Sequence, residues 1–193
     1  MKTAPALLLT GILFVGGCAS PVPPSEPVAM VPRGLKGSIP PAARIYVEKP
    51  TLDSAARDGK APYDEITGKL PFVQPQGLTN YQESVRLTLA AVGVQPTAER
   101  EKAAYVLRPV ILGGMAIPFP EAYSVLFVHY QFEDTRTGAI LWRKNVYSQA
   151  KLEKTRSEMG SNTAPDPAYG RLVAANLRQM VDSLSAWFAE KHD

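Results

Sequence analysis

The sequence has 193 residues, of which 21 are lysine or arginine, 18 are aspartate or glutamate and only one is cysteine. The formal net charge is +3 and the basic residues are scattered, so the sequence lacks the basic block typical of nucleic-acid binding. A single cysteine excludes an intramolecular disulfide, and His129 and His192 are too far apart in the chain to indicate a metal site. We therefore predict no cofactor and no nucleic-acid partner, and a core that is stabilised by packing.

The first seventeen residues have the pattern of a secretory signal. Lys2 precedes an apolar run from Ala4 to Val15, and two glycines then lead into Cys18. A short basic segment, an apolar segment of about a dozen residues and small residues at the cleavage point are typical of such signals. The run is shorter than the roughly 20 apolar residues that a transmembrane helix needs. The pattern predicts a signal peptide at residues 1–17.

Val15-Gly16-Gly17-Cys18 resembles the lipobox of bacterial lipoproteins, in which the cysteine is lipidated and becomes the first residue of the mature chain. The resemblance implies three acyl chains, of the palmitate type, on Cys18. It therefore implies an essentially permanent anchor, whereas a single chain holds a protein only marginally. Ala19-Ser20 follow the cysteine without an aspartate, which in such proteins favours the outer membrane over the inner membrane. We expect the protein in the outer membrane, lipid-anchored and facing the periplasm.

The segment after the signal is rich in proline. Residues 18–43 hold seven prolines and few residues that could form a buried face. Proline fixes φ and favours an extended chain that rises about 3.1 Å per residue. Residues 18–43 are therefore predicted to be a tether, followed by a single α/β domain at residues 44–193.

The remainder predicts the element order β-α-β-β-β-α. The predicted elements are a strand at 44–49, a helix at roughly 80–92, a strand at 105–112, a hairpin with strands at 123–134 and 139–148, and a long helix from Pro167. The first helix is expected to begin at Thr79 or Asn80, with Glu83 in capping-box position relative to Asn80, and to end at Gly93. Two amphipathic helices can cover only one face of a four-stranded sheet. We predict an α/β (α+β) fold, a two-layer sandwich whose mixed sheet has an uncovered face carrying Tyr46, Val125 and Phe127.

The segment Met115 to Pro120, reading MAIPFP, is the candidate partner-binding site. Gly113-Gly114 is expected to end the preceding strand, in which Pro109 indicates an edge or a bulge, and the segment is expected to be a loop. Such loops run over the surface, and prolines lower the entropic cost of ordering on binding. We predict that Met115, Ile117 and Phe119 contact a partner. In the alternative interpretation, Ile117 and Phe119 plug the end of the sandwich.

The sequence contains none of the common motifs for nucleotide binding, serine hydrolysis or zinc proteolysis. His129 could form a triad with Ser124 or Ser148 and Asp134, but it falls in an apolar strand pattern and no serine occupies a nucleophile elbow. Glu133 and Asp134 are neighbours in a strand, so they point to opposite faces and do not favour joint acid–base catalysis. We predict no catalytic, cofactor-binding or metal-binding residues, and no enzyme activity.

Three stretches, AAYVLRPVILGG, FEDTRTGAILWR and AYGRLVAANLRQMVDSLSAWF, resemble small outer-membrane lipoproteins of the lipopolysaccharide-assembly, curli and peptidoglycan-synthase-activator kind. In such proteins a short turn joins two strands and a C-terminal helix packs across them. The resemblance implies a non-enzymatic, periplasm-facing lipoprotein that binds another envelope component in assembly or transport. The expected partner is an envelope protein. The alternatives are a carrier of lipids or small molecules and, less favoured, a periplasmic hydrolase.

Replacing the lipidated residue, Cys18→Ala, is expected to leave a folded domain and to release it from the membrane, because the acyl chains can no longer be attached. Fractionation of membranes at high salt, followed by immunoblotting, measures the release. If the variant still fractionates with the outer membrane at high salt, lipid anchorage is not its main attachment.

Overall fold

Two helices and six strands form a two-layer sandwich in the computed structural model, which describes residues 31–35, 39–52, 75–117, 123–152 and 167–192. The strands are β1 (Arg44–Val47), β2 (Thr51–Leu52), β3 (Gln95–Thr97), β4 (Tyr105–Ile117), β5 (Tyr123–Asp134) and β6 (Ile140–Lys151). The helices are α1 (Pro75–Ala91) and α2 (Pro167–His192), and a 3-10 turn spans Arg100–Lys102. The predicted fold class is confirmed, and the short strands β2 and β3 add to the four that the sequence predicts.

The sheet is mixed, as predicted, with the strand order β3-β1-β4-β5-β6 and β2 beside β4. Strand β1 pairs in parallel with β3 and β4, and β2 pairs in parallel with β4. The three long strands β4, β5 and β6 are antiparallel neighbours. Parallel strands need a crossover connection, and α1 lies in the connection that leads from β1 to β3.

Helix α1 ends at Gly93 in a Schellman motif, as the sequence predicts. Gly93 has a φ of 92°, a left-handed conformation that is accessible to glycine at little cost. The Gly93 N–H donates to the Ala90 carbonyl and the Val94 N–H donates to the Leu89 carbonyl, both at 3.1 Å. These two bonds satisfy carbonyls that the end of a helix otherwise leaves without partners.

The predicted start of α1 is wrong. The helix begins at Pro75, so Asn80 and Glu83 lie inside it and do not form a capping box. Proline is favoured at the first helical position because its missing N–H has no partner there in any case.

Helix α2 buries a stripe of apolar side chains against the sheet. The buried positions are Leu172, Val173, Leu177, Met180, Val181, Leu184 and Phe188. Their spacing of three to four residues places them on one side of the helix. Trp187 and Phe188 each pack with a ring centroid 5.6 Å from that of Phe132, and Trp142 is buried as well. The sequence pattern therefore identifies this part of the core correctly.

Strand β4 continues through the two glycines that the sequence analysis expects to end it. It pairs with β5 as far as Ile117, with one irregularity of register between Ile111 and Gly113. A β-bulge absorbs an extra residue without ending a strand, and glycine is common at such sites. The prediction of a strand end at Gly113-Gly114 is wrong for this reason.

Pro109 lies in β4 beside a gap between two neighbouring strands. The Glu48 N–H donates to the Leu107 carbonyl at 2.9 Å, so the two-residue period of a strand turns the Pro109 nitrogen toward the same side. On that side β1 has ended at Val47, and β2 begins only at Thr51. The next bond of this parallel ladder would need an N–H at position 109, so the pairing of β1 with β4 ends where proline supplies none.

The packed domain begins before residue 44. Ile39 and Ala43 are buried in the same core as the helices, and the partly buried Leu35 packs against that core. Burial therefore holds the last part of the predicted tether on the domain.

The predicted hairpin is present, and its turn between β5 and β6 is built around Asp134. Its Oδ1 accepts hydrogen bonds from the Thr137 N–H at 2.8 Å and from the Thr137 hydroxyl at 3.0 Å. These bonds lower the pKa of the Asp134 carboxyl below its ordinary value, and the bond from the Thr137 backbone N–H has the largest effect. Gly138 closes the turn with a φ of 70° and donates to the Asp134 carbonyl at 2.9 Å.

The core variant Leu184→Ala is expected to lower the free energy of unfolding by about 2–5 kcal/mol, because Leu184 is fully buried and its truncation leaves a cavity. Denaturant unfolding followed by circular dichroism measures the change. The control is Leu87→Ala, at a position of α1 that is 37% exposed, where we expect less than about 1 kcal/mol. Similar losses for the two variants would contradict the assignment of Leu184 to the core.

Candidate functional site

One face of the sheet carries no helix among the described residues. On β5, the side chains of Leu126, Val128, Tyr130 and Phe132 are fully buried on the helix side. The alternate residues of β5 point the other way, and the partners directly opposite them share their face. We call this surface the open face; it includes Arg108, Phe127, His129, Gln131, Glu133, Asn145 and Tyr147.

Phe127 and Tyr147 form the aromatic end of the open face. They are cross-strand partners, and their ring centroids are 4.7 Å apart. Tyr147 is 43% exposed, and its hydroxyl donates to Gln149 Oε1 at 2.9 Å. Val125, which is predicted for the same face, is 2% exposed. An exposed tyrosine with an apolar ring and a polar tip belongs to the residue types enriched in protein–protein interfaces.

His129 lies between two amide side chains in the middle of the open face. Its Nδ1 is 2.5 Å from Asn145 Oδ1, and its Nε2 is 3.1 Å from Gln131 Nε2. An amide oxygen accepts and an amide nitrogen donates, so in this arrangement Nδ1 donates to Asn145 and Nε2 accepts from Gln131. Both ring nitrogens are thereby engaged with neighbouring side chains.

The triad that the sequence analysis considers around His129 is not assembled. The Ser148 hydroxyl donates to the Leu172 carbonyl of α2 at 3.0 Å, on the helix side of the sheet. Ser124 is fully buried, and the Asp134 carboxylate accepts hydrogen bonds within its own turn. His129 is on the opposite face from Ser148, so neither serine hydroxyl is within its reach.

Four charged side chains close a ring at the other end of the open face. Glu48 accepts from Arg100 at 2.8 Å and from Arg108 at 2.7 Å. Glu133 accepts from Arg108 at 2.7 Å and lies 3.8 Å from Arg100. We call Glu48, Arg100, Arg108 and Glu133 the charge ring. In it each carboxylate faces two guanidinium groups, so the charges compensate one another.

The charge ring joins the residue after β1 to the 3-10 turn, β4 and β5. The side chains of Glu133 and Arg108 are only 12% and 32% exposed, so water screens their attraction less than that of a surface pair. Because its members come from four elements, the ring holds the ends of these strands in register. This role is structural, and it leaves the aromatic end as the more accessible part of the open face.

On the helix side, a buried polar network connects both helices to the sheet. The Tyr130 hydroxyl donates to Asn176 Oδ1 at 2.7 Å, and the Tyr81 hydroxyl lies 3.1 Å from the same oxygen and in contact with the Tyr130 hydroxyl. Asn176 Nδ2 lies 3.3 Å from the Ser148 hydroxyl. Burial raises the pKa of both tyrosines above the ordinary value, so both phenols are neutral. The network orients α1 and α2 on the sheet.

Part of the predicted partner-binding segment lies in a strand, not in a loop. Met115 and Ile117 belong to β4, where they pair with Val125 and Tyr123 of β5, so the prediction that they lie in a loop is wrong. The bulge near Gly113 lets the strand run on to Ile117. Phe119 and the lipidation site Cys18 lie outside the described residues.

Sequence reasoning missed the charge ring and the buried network. Asn176 is a polar residue within the apolar stripe of α2, and this interruption was an available signal of a buried hydrogen-bonded group. For the charge ring, the signal is the placement of Arg108 and Glu133 in otherwise apolar strands. Neither signal identifies the partner residue, because the pairs lie far apart in the chain.

The cavities that described residues line include a groove and a smaller cavity. A groove of about 790 Å³ lies between residues 31–33 and the first half of α2, and a smaller cavity of about 370 Å³ lies beside Tyr105 and Asp134. No group of three or more His, Cys, Asp or Glu side chains is placed to hold a metal ion in the part of the chain that the structure describes. The described helices include none that is long and apolar enough to cross a membrane.

Solved structures share this fold. Protein XCC0632 from Xanthomonas campestris, of family DUF330, is 9% identical over 81% of this chain and 95% of its own, with a TM-score of 0.55. A PelC dodecamer from Paraburkholderia phytofirmans is 14% identical over 77% of this chain and 93% of its own, with a TM-score of 0.50. At such identities the likeness shows the fold alone.

Lipoprotein GNA1162 from Neisseria meningitidis is also similar, at 15% identity over 72% of this chain and 99% of its own. Its TM-score of 0.43 is too low for that likeness to carry an argument. No family model and no curated protein matches the chain.

Breaking the charge ring with Glu133→Gln is expected to lower the free energy of unfolding by about 1–3 kcal/mol, because it leaves Arg108 partly buried with one fewer carboxylate. Denaturant unfolding measures the loss. The control is Glu99→Gln, whose partner Lys102 lies at 2.8 Å but is 65% exposed, and there we expect less than about 0.5 kcal/mol. Equal effects would show that the ring behaves as an ordinary surface pair.

Proposed function

We propose that this chain is a lipid-anchored lipoprotein of the bacterial outer membrane, facing the periplasm, that binds another envelope protein and catalyses no reaction. The binding serves the assembly or transport of an envelope component. The observation that carries the proposal is the open face, with the exposed Tyr147 packed against Phe127.

The anchor in this proposal is Cys18. An apolar segment followed by Val15-Gly16-Gly17-Cys18 is the pattern on which lipid attachment depends in bacterial lipoproteins. The envelope location follows from that pattern, and the absence of an aspartate after Cys18 supports the outer membrane.

The open face suits a protein partner better than a small ligand. Its exposed surface combines an aromatic pair with the amides of Gln131 and Asn145, the mixture of apolar area and hydrogen-bonding groups found at protein interfaces. Its shape is that of a sheet surface, whereas small ligands usually occupy concave pockets. A carrier function would need space between the sheet and the helices, where Leu126, Leu177 and Tyr130 are fully buried.

The predicted segment around Met115 extends this surface. Register pairs Gly113 with Phe127, Met115 with Val125 and Ile117 with Tyr123, so the backbone of the segment lies in the rows next to the aromatic pair. We propose that Met115, Ile117 and Phe119 contribute to the same contact as Tyr147. The earlier alternative, in which Ile117 and Phe119 only plug the sandwich, gives them no part in it.

Site-specific photo-crosslinking in intact membranes tests the proposal. Benzoylphenylalanine replaces Tyr147 in one variant and Leu87 in a matched control, because Leu87 is similarly exposed but lies on α1. Position 147 is expected to give an adduct of defined mass that mass spectrometry identifies as an envelope protein, and position 87 is expected to give none. A third variant at Phe119 is expected to give the same adduct.

The proposal fails if position 147 gives no adduct, if position 87 gives the same adduct, or if the adduct contains only two copies of this chain. Unchanged thermal unfolding of each variant shows that a missing adduct does not result from a damaged fold.

A further inference from the structure

The groove between residues 31–33 and α2 combines an apolar floor with a basic rim. Val31 and Pro32 form one side of the floor, and Gly170 and Ala174 of α2 form the other. The described part of the rim includes Arg33, Arg171 and Arg178, and all three side chains are exposed. Small residues leave room between the helix and the segment, so a chain-like apolar group can lie along the floor.

The described residues that line the groove carry charge of one sign. They are three arginines and uncharged residues, and the first fifteen residues of α2, which pack on strand β6, contain no acidic residue. The two elements are in contact, since Gln179 Nε2 donates to the Tyr147 carbonyl at 2.9 Å and Arg171 donates to the Lys151 carbonyl at 3.3 Å. The next charged residue of α2, Asp182, lies beyond the groove. This edge of the domain is therefore complementary to an anionic surface.

The arginine at the centre of the rim is held in place. The Arg178 guanidinium donates to the Arg33 carbonyl, which connects α2 to the N-terminal segment across the groove. A guanidinium has five N–H donors in a planar fork that matches the geometry of phosphate. One bond to a carbonyl therefore orients Arg178 and is compatible with contacts to a phosphate group.

The described part of the chain begins at this groove. Val31 follows Cys18 by 13 residues, which span at most about 40–47 Å when fully extended. If Cys18 carries the anchor, the groove is the part of the described domain that is joined to the bilayer by the shortest stretch of chain.

We propose that this groove is a second membrane contact, which binds the phosphate headgroups of anionic phospholipids with the arginines of its rim. The apolar floor receives the glycerol and upper acyl region of the lipid. The anchor then keeps the domain at the membrane, and the groove sets its orientation there. This inference rests on the proposed function only for the anchor at Cys18, which explains why the groove lies close to the membrane. Lipid binding by the groove is tested without that anchor.

The test uses the chain from Ala19 onward, which lacks the acylated residue and retains every residue that the structure describes. Its binding is measured by flotation with vesicles of phosphatidylcholine alone and of phosphatidylcholine mixed with phosphatidylglycerol. We expect binding only to the mixed vesicles, weakening as salt rises. The double variant Arg33→Gln/Arg178→Gln is expected to bind about thirtyfold more weakly, since two cations are lost from the contact.

The matched control is Lys102→Gln/Arg136→Gln, which removes the same charge from exposed positions on the 3-10 turn and the hairpin turn. We expect it to bind within about threefold of the unmodified chain. Circular dichroism checks that both variants are folded. Equal weakening by the two double variants, binding to pure phosphatidylcholine, no vesicle binding, or displacement by inorganic phosphate alone would each overturn the proposal. None of these results bears on the crosslinking at Tyr147, so the two proposals can fail separately.

Discussion

Both helices pack on the same face of the sheet, and the rest of the molecule follows from this asymmetry. Hydrophobic burial, the main favourable contribution to folding, acts mainly on this face, where Val85 and Leu89 of α1 and Leu177 and Leu184 of α2 are fully buried. The opposite face carries no helix among the described residues, so other contacts keep its strands in register. These contacts are pairs between neighbouring strands, which are charged at one end, amide-linked in the middle and aromatic at the other end.

The buried network and the charge ring stabilise the structure in different ways. Tyr81, Tyr130 and Asn176 are polar groups in a buried interface, where a lost hydrogen-bond partner costs about 1–3 kcal/mol, so they favour one arrangement of the helices over others. The charge ring is closer to solvent and weaker per contact, but it joins four elements. Together, the buried network and the charge ring fix the sheet on which Tyr147 is exposed.

The two proposed surfaces use different parts of the fold. The open face presents aromatic and amide groups from β5 and β6, which suits a protein partner. The groove beside α2 presents arginines over small apolar residues, which suits phosphate headgroups. A tethered domain that contacts the bilayer through one surface can keep the other in a fixed orientation toward its partner, which reduces the entropy lost when that partner binds.

Elements that depend on local or periodic patterns were predictable from the sequence. The apolar spacing of α2, the glycine end of α1 and the hairpin of β5 and β6 are each specified by residues close together in the chain. The continuation of β4 past Gly113 was decided by pairing with β5, because a bulge can absorb the glycines that would end an isolated strand. Glu48 and Arg108 are 60 positions apart, and Tyr81 and Asn176 are 95 apart. Only the tertiary structure brings such residues together, because chain topology sets their proximity and no local pattern records it.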